Sequence, residues 1–126
     1  MQDGRDNTLR LDWLPPPGFV LCSVPSVKSG EALVVEFRQD WRRYEIFVLR
    51  YRCGFVAYHN ECPHSAKPLD WMGRFLTRDK EFIRCAGHGA KFRIDDGYCI
   101  KGPCIGARLT PIPLAVVAGD VVLASG

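Results

Sequence analysis

Cys62-Pro63-His64 and Cys85-Ala86-Gly87-His88 set two thiols and two imidazoles into the middle of a 126-residue chain as two short mixed pairs, with residues 65 to 84 between them. A lone His near a strand is more often a hydrogen-bonded packing residue, and a lone Cys a small buried hydrophobe. Four such residues in two closely spaced pairs point instead to metal. Two kinds of site fit these residues. A structural zinc ion takes Cys₂His₂ tetrahedrally, although zinc fingers and ribbons usually pair like with like, CxxC with HxxxH. Mixed pairs suit a two-iron site, because together they offer one iron both thiolates and a second iron both imidazoles.

Outward from these pairs the chain reads as short strands divided by turns. No 3.6-residue apolar period lasts the length of a helix, so the expected class is all-β. Strands are predicted at 19–24, 32–38, 44–51, 54–60, 74–77, 81–85, 91–94, 98–100, 112–117 and 121–124. Arg52-Cys53-Gly54, Arg78-Asp79-Lys80 and Asp95-Asp96-Gly97 read as turns. Residues 1–18, closing on Pro15-Pro16-Pro17-Gly18, are expected to form an extended, partly mobile leader. There is no internal repeat and no sign of a second domain, and both ligand pairs fall in loops at strand ends, where a β scaffold presents functional groups.

Composition supports one small globular domain, with 47% hydrophobic and 25% charged residues. The formal charge of +3 is too mild and too scattered to suggest nucleic acid. Arg38, Arg42 and Arg43 form the densest basic group, yet Asp40, Glu36 and Glu45 lie among or beside them. The polar start Met1 to Asn7 has no apolar stretch behind it, and the run Leu114 to Ala118 is far too short to span a bilayer. A cytoplasmic protein without membrane partners is expected, in a reducing compartment despite six cysteines.

CPH at 62–64 and CAGH at 85–88 resemble the CxH and CxxH ligand motifs of the Rieske iron–sulfur family. VAYHNE (56–61), HGAKF (88–92) and GYCIKGP (97–103) agree with it, and the likeness runs from about Phe19 to Leu123. The resemblance implies a Rieske domain over 19–126: an antiparallel β-sandwich or barrel base carrying an inserted cluster-binding subdomain at about 60–103. It implies one [2Fe–2S] cluster per chain, with Cys62 and Cys85 on the inner iron and His64 and His88 on the outer, and no catalytic residues. Gly102-Pro103 matches the family's proline loop over the cluster, although Gly-Pro forms turns anywhere.

The family's high-potential members resemble CxHxGC and CPCHGSxY, with an extra disulfide and two hydroxyl donors near the cluster. Here Lys67 and Gly87 stand where the disulfide cysteines would be, Ala90 at the serine position and Phe92 at the tyrosine position. A midpoint near about −150 mV, the low end of the Rieske range, is therefore expected. Cys99 and Cys104 flank the proline loop as packing residues or, as a weaker expectation, a disulfide. Cys22 and Cys53 carry no assigned role. His59 reads as structural, Lys67 and Lys91 as docking or surface charges, and Trp71 and Met72 as a cap on the small subdomain.

The large Rieske oxygenases also hold a mononuclear iron on two His and a carboxylate. With three His, two of them assigned, this chain lacks those ligands. It is expected to be a one-electron carrier and not itself an enzyme, resembling soluble Rieske ferredoxins that pass electrons from a reductase donor to an oxygenase or other oxidoreductase. The alternatives are a Rieske small subunit of a larger redox complex and a zinc-stabilised interaction domain.

Overall fold

Alternation of apolar and charged residues through Val35-Glu36-Phe37-Arg38 favours extended backbone with one face buried. In the computed structural model, which describes residues 12–52, 54–63, 66–70, 74–85 and 89–125, this segment lies in strand β2 (Ala32–Gln39). It pairs antiparallel with β3 (Arg42–Tyr51) in unbroken register from Ala32↔Leu49 to Gln39↔Arg42. The chain reverses at Asp40, whose φ of 57° is left-handed backbone that a short polar side chain tolerates. Strand β4 (Gly54–His59) completes the sheet in the order β2-β3-β4.

A second sheet has the order β1-β9-β8, from β1 (Val20–Ser23), β8 (Leu114–Val117) and β9 (Asp120–Leu123). Its β8–β9 hairpin turns on Ala118 and Gly119, both with positive φ, the two-residue geometry that matches strand twist. One compact unit is formed by Met1–Ala57 with Ile112–Gly126. Phe37, Ile46 and Val48 from one of its sheets share a buried cluster with Val121 and Leu123 from the other. Each such side chain contributes roughly 1.5–3 kcal/mol on leaving water. Leu14 joins that cluster and Trp13 stacks on Tyr44 with ring centroids 4.7 Å apart, so residues 13 and 14 of the predicted leader are anchored.

Tyr58–Pro111 is the second compact unit. Its sheet runs β5 (Phe82–Cys85), β6 (Ala90–Arg93), β7 (Cys99–Lys101), all antiparallel. The predicted turns at 78–80 and 95–97 hold, with Lys80 at φ 61° and Gly97 at φ 74°. At Gly97 a Cβ would lie 2.9 Å from Tyr58 Cε1, so close packing as well as φ requires glycine there.

The predicted strand at 74–77 is reduced to a single bridge, Leu76↔Ile83. The Asp79 carboxylate accepts from the Thr77 hydroxyl and the Glu81 N–H, which turns the chain away after Thr77 before a ladder can lengthen. The remaining strands stand within a few residues of expectation. Among the described residues the architecture is antiparallel β throughout, with one 3₁₀ turn at Val24–Ser26 and no α-helix.

Candidate metal centre

Cys62 lies in the loop after β4, in a short closed turn. Its N–H donates to the Lys67 carbonyl at 2.8 Å, and its carbonyl accepts from the Ala66 N–H at 2.8 Å. Ala66 takes φ 61° to make this possible. A clamp outside the turn comes from Asn60, 6% exposed, whose side-chain oxygen accepts from the Leu69 N–H at 2.9 Å while its amide donates to Asp70 at 3.0 Å. One polar side chain thus ties both ends of the loop together. Sequence reading placed Asn60 only at the end of a strand; an Asn ahead of the first pair was the available signal.

Cys85 ends β5, in register with Ala90, the first residue of β6. The connection from β5 to β6 therefore begins at Cys85. Cys62 and Cys85 are each 1% exposed. Both act on Cys104, whose thiol is pushed up to about 12 first by burial, then by Cys99, and then by charge on Cys62 and Cys85. Cys62 and Cys85, with 22 residues between them in sequence, are thus both buried and both near enough to Cys104 to bear on its charge.

His64 and His88, the two imidazoles of the predicted set, lie outside the described residues, as do Cys53, Trp71, Met72 and Gly87. Among the described residues no three His, Cys, Asp or Glu side chains converge to hold an ion. Cys99 and Cys104 thus add no third and fourth thiolate to Cys62 and Cys85 for a single ion. The donor chemistry fits an iron–sulfur group bound by two thiolates, because soft sulfur donors held out of water are what such a group needs.

Gly102 has φ 99°. A Cβ on it would lie 2.7 Å from Ala90 Cα, so the Gly102-Pro103 loop rests directly on the backbone of the residue that pairs with Cys85. Ala90 and Phe92 are both fully buried and bring no hydroxyl to this region. Lys67 is exposed, and Lys91 places its ammonium 5.3 Å from the Phe82 ring centroid. His59 is largely buried, 3.5 Å from Glu61; burial lowers its pKa and Glu61 opposes the shift. None of the five described cysteines is in a disulfide, Cys99 and Cys104 included.

A family model described as Rieske [2Fe-2S] domain matches residues 18–118. Among solved structures, the ferredoxin of carbazole 1,9a-dioxygenase from Nocardioides aromaticivorans IC177 is 22% identical, with a TM-score of 0.68 over 89% of this chain and 100% of its own. The Sphingomonas yanoikuyae B1 ferredoxin is 25% identical, with a TM-score of 0.66 over 86% and 98%. The terminal oxygenase of carbazole 1,9a-dioxygenase from Novosphingobium sp. KA1 is 21% identical with a TM-score of 0.70, over 96% of this chain but 32% of the oxygenase. No curated protein matches.

Proposed function

Because this chain belongs to the Rieske [2Fe–2S] domain family, we propose that it is a one-electron carrier serving a partner oxidoreductase, with Cys62 and Cys85 as the sulfur ligands and His64 and His88 as the imidazole ligands of its [2Fe–2S] cluster. The observation that supports this is that two thiols from loops far apart in sequence, Cys62 and Cys85, are both buried within the unit Tyr58–Pro111 and both bear on the charge of Cys104. The cluster supplies reversible uptake of one electron. What the chain's own residues do is hold the sulfurs, exclude water and set the charge around them.

Burial of Cys62 and Cys85 keeps water from the sulfur side. The Asn60 clamp holds the loop that carries Cys62, and the Gly102-Pro103 loop rests on the residue paired with Cys85. Ala90 and Phe92 offer no hydroxyl to stabilise the more negative reduced state, which supports a midpoint at the low end of the Rieske range, near about −150 mV. The proposed domain is 19–126, with the cluster borne by the inserted unit.

Charge supports a choice of partner. The unit Tyr58–Pro111 has nine Lys and Arg against six Asp and Glu, while the rest of the chain is balanced at eight against eight, so the whole formal +3 lies with the two sulfurs. Such a surface favours a redox partner with an acidic docking face. A complex of reduced oxygenase and oxidised ferredoxin, as in carbazole 1,9a-dioxygenase, is the kind of assembly this proposal envisages. No helix among the described residues is long and apolar enough to cross a membrane, and a cytoplasmic location is proposed.

Visible absorption and EPR test the reading. A reddish-brown protein with a reduced-state EPR signal is expected, and His64→Ala or His88→Ala is expected to abolish the native spectrum. Colourless protein holding one zinc would overturn the electron-transfer function.

A further inference from the structure

Cys99 and Cys104 have no task in the function proposed above, yet their sulfurs face each other at 3.1 Å. Cys99 is fully buried and Cys104 is 9% exposed. The intervening loop is held in place by its own backbone. The Cys99 N–H donates to the Ala107 carbonyl at 2.9 Å, the Gly106 N–H to the Cys99 carbonyl at 3.2 Å, and the Ala107 N–H to the Cys104 carbonyl at 2.8 Å. Bond formation at about 2.05 Å therefore needs an approach of roughly 1 Å between sulfurs already facing one another.

We propose that Cys99 and Cys104 are a reversible dithiol–disulfide couple, a second redox site of this chain separate from its metal ligands, which exchanges with small disulfides of the glutathione class. Cys104, the less buried of the two, reacts first, and slowly, because burial and the facing Cys99 thiol keep its thiolate scarce. Its sulfur loses a proton and attacks oxidised glutathione; the glutathione S–S bond breaks, and one glutathione leaves as a thiolate that takes up the proton. The Cys99 sulfur then attacks the mixed disulfide and loses its own proton, releasing the second glutathione as a thiol. Two electrons and two protons pass from the protein thiols to one glutathione disulfide.

Closure has a structural consequence. The ring from Cys99 to Cys104 contains Gly102, which rests on Ala90, and Ala90 pairs with Cys85. The oxidised couple latches the loop against the strand pair that carries a proposed metal ligand. Access is through the loop's outer side, where Lys101, Pro103 and Ile105 are exposed, with Ile105 at 65%.

The test uses the cluster-loaded protein, poised anaerobically over a series of oxidised-to-reduced glutathione ratios, quenched in acid, alkylated with N-ethylmaleimide and digested with trypsin. Cleavage after Arg93, Lys101 and Arg108 puts the two cysteines on different peptides, 94–101 and 102–108. A linked pair of these peptides is expected, half-formed at one ratio whether approached from the oxidised or the reduced side, with the visible spectrum retained. Two alkylated peptides at every ratio, or a glutathione adduct that never closes, would overturn the proposal. Cys104→Ser is expected to remove the linkage and keep the spectrum. Loss of colour in both Cys104→Ser and Cys99→Ser would make these residues part of the metal site and refute the separation claimed. A wild-type protein that forms the linkage but holds no iron would instead count against the electron-carrier function alone.

Discussion

Replacing Asn60 by Ala removes the clamp on the Cys62 loop, and its cost follows from two bonds. The Leu69 N–H, on a fully buried residue, loses its acceptor at 2.9 Å. A buried donor left unsatisfied costs about 1–3 kcal/mol. The bond from the Asn60 amide to Asp70 at 3.0 Å is also lost, but Asp70 is only half-buried and water replaces much of it, so about 1 kcal/mol is assigned. The sum is about 2–4 kcal/mol, which corresponds to roughly a 30- to 900-fold increase in opening if the loop opens alone. Hydrogen exchange on the cluster-loaded protein reads this directly at the amides of Cys62, Ala66 and Leu69, each bonded within the loop. Faster exchange at all three is expected, together with earlier loss of visible absorption in denaturant. Asn60→Asp keeps an acceptor for Leu69 but sets a like charge beside Asp70, and should fall between wild type and Ala. Unchanged exchange at these amides with an unchanged denaturation midpoint would refute the clamp.

Four shorter predictions follow from the same structure. Gly102→Ala meets both a φ of 99° and a Cβ contact of 2.7 Å with Ala90 Cα, whereas Gly106→Ala has φ 96° and open space; denaturation should show Gly102→Ala costlier by about 1–3 kcal/mol, the share due to overpacking. His59 is buried and its pKa lowered, so the unfolded chain binds more protons; its contribution is complete above the unfolded value of about 6.5 and is lost as pH falls through it. His59→Gln should flatten the stability slope between about pH 5 and 7, measured by denaturant titration. Phe92→Tyr adds a hydroxyl beside the proposed cluster and should raise the midpoint in a potentiometric titration by about 40–65 mV, the equivalent of one hydrogen bond of about 1–1.5 kcal/mol to the reduced state. Lys101→Glu should slow association with the redox partner, and added salt should weaken wild-type association in stopped-flow measurements.

The β class was legible because alternation and turn chemistry are local. Val35 to Arg38 reads as a half-buried strand without any knowledge of its partner, and Asp95-Asp96-Gly97 reads as a turn because a residue with positive φ must follow two that favour turning. The segment 74–77 misled for the opposite reason. Its apolar pattern suits a strand, but the side chains of Thr77 and Asp79 reclaim the hydrogen bonds that would extend it. Trp13 and Leu14 were likewise illegible within a proline-rich leader, since only the unit's core shows what they pack against.

The chain's chemistry was set by residue type and spacing: two thiol–imidazole pairs that favour iron or zinc, and a family resemblance that the matched domain bears out. Sequence could not measure distance between loops. That Cys62 and Cys85 are both buried and both bear on Cys104, that Asn60 closes the first loop and that Cys99 faces Cys104 at 3.1 Å are decided by strand register and by side chains packing from separate loops. The physical reason is that ligand identity is a property of single residues, whereas proximity is a property of the folded chain, fixed only when burial and hydrogen bonding select one register among many.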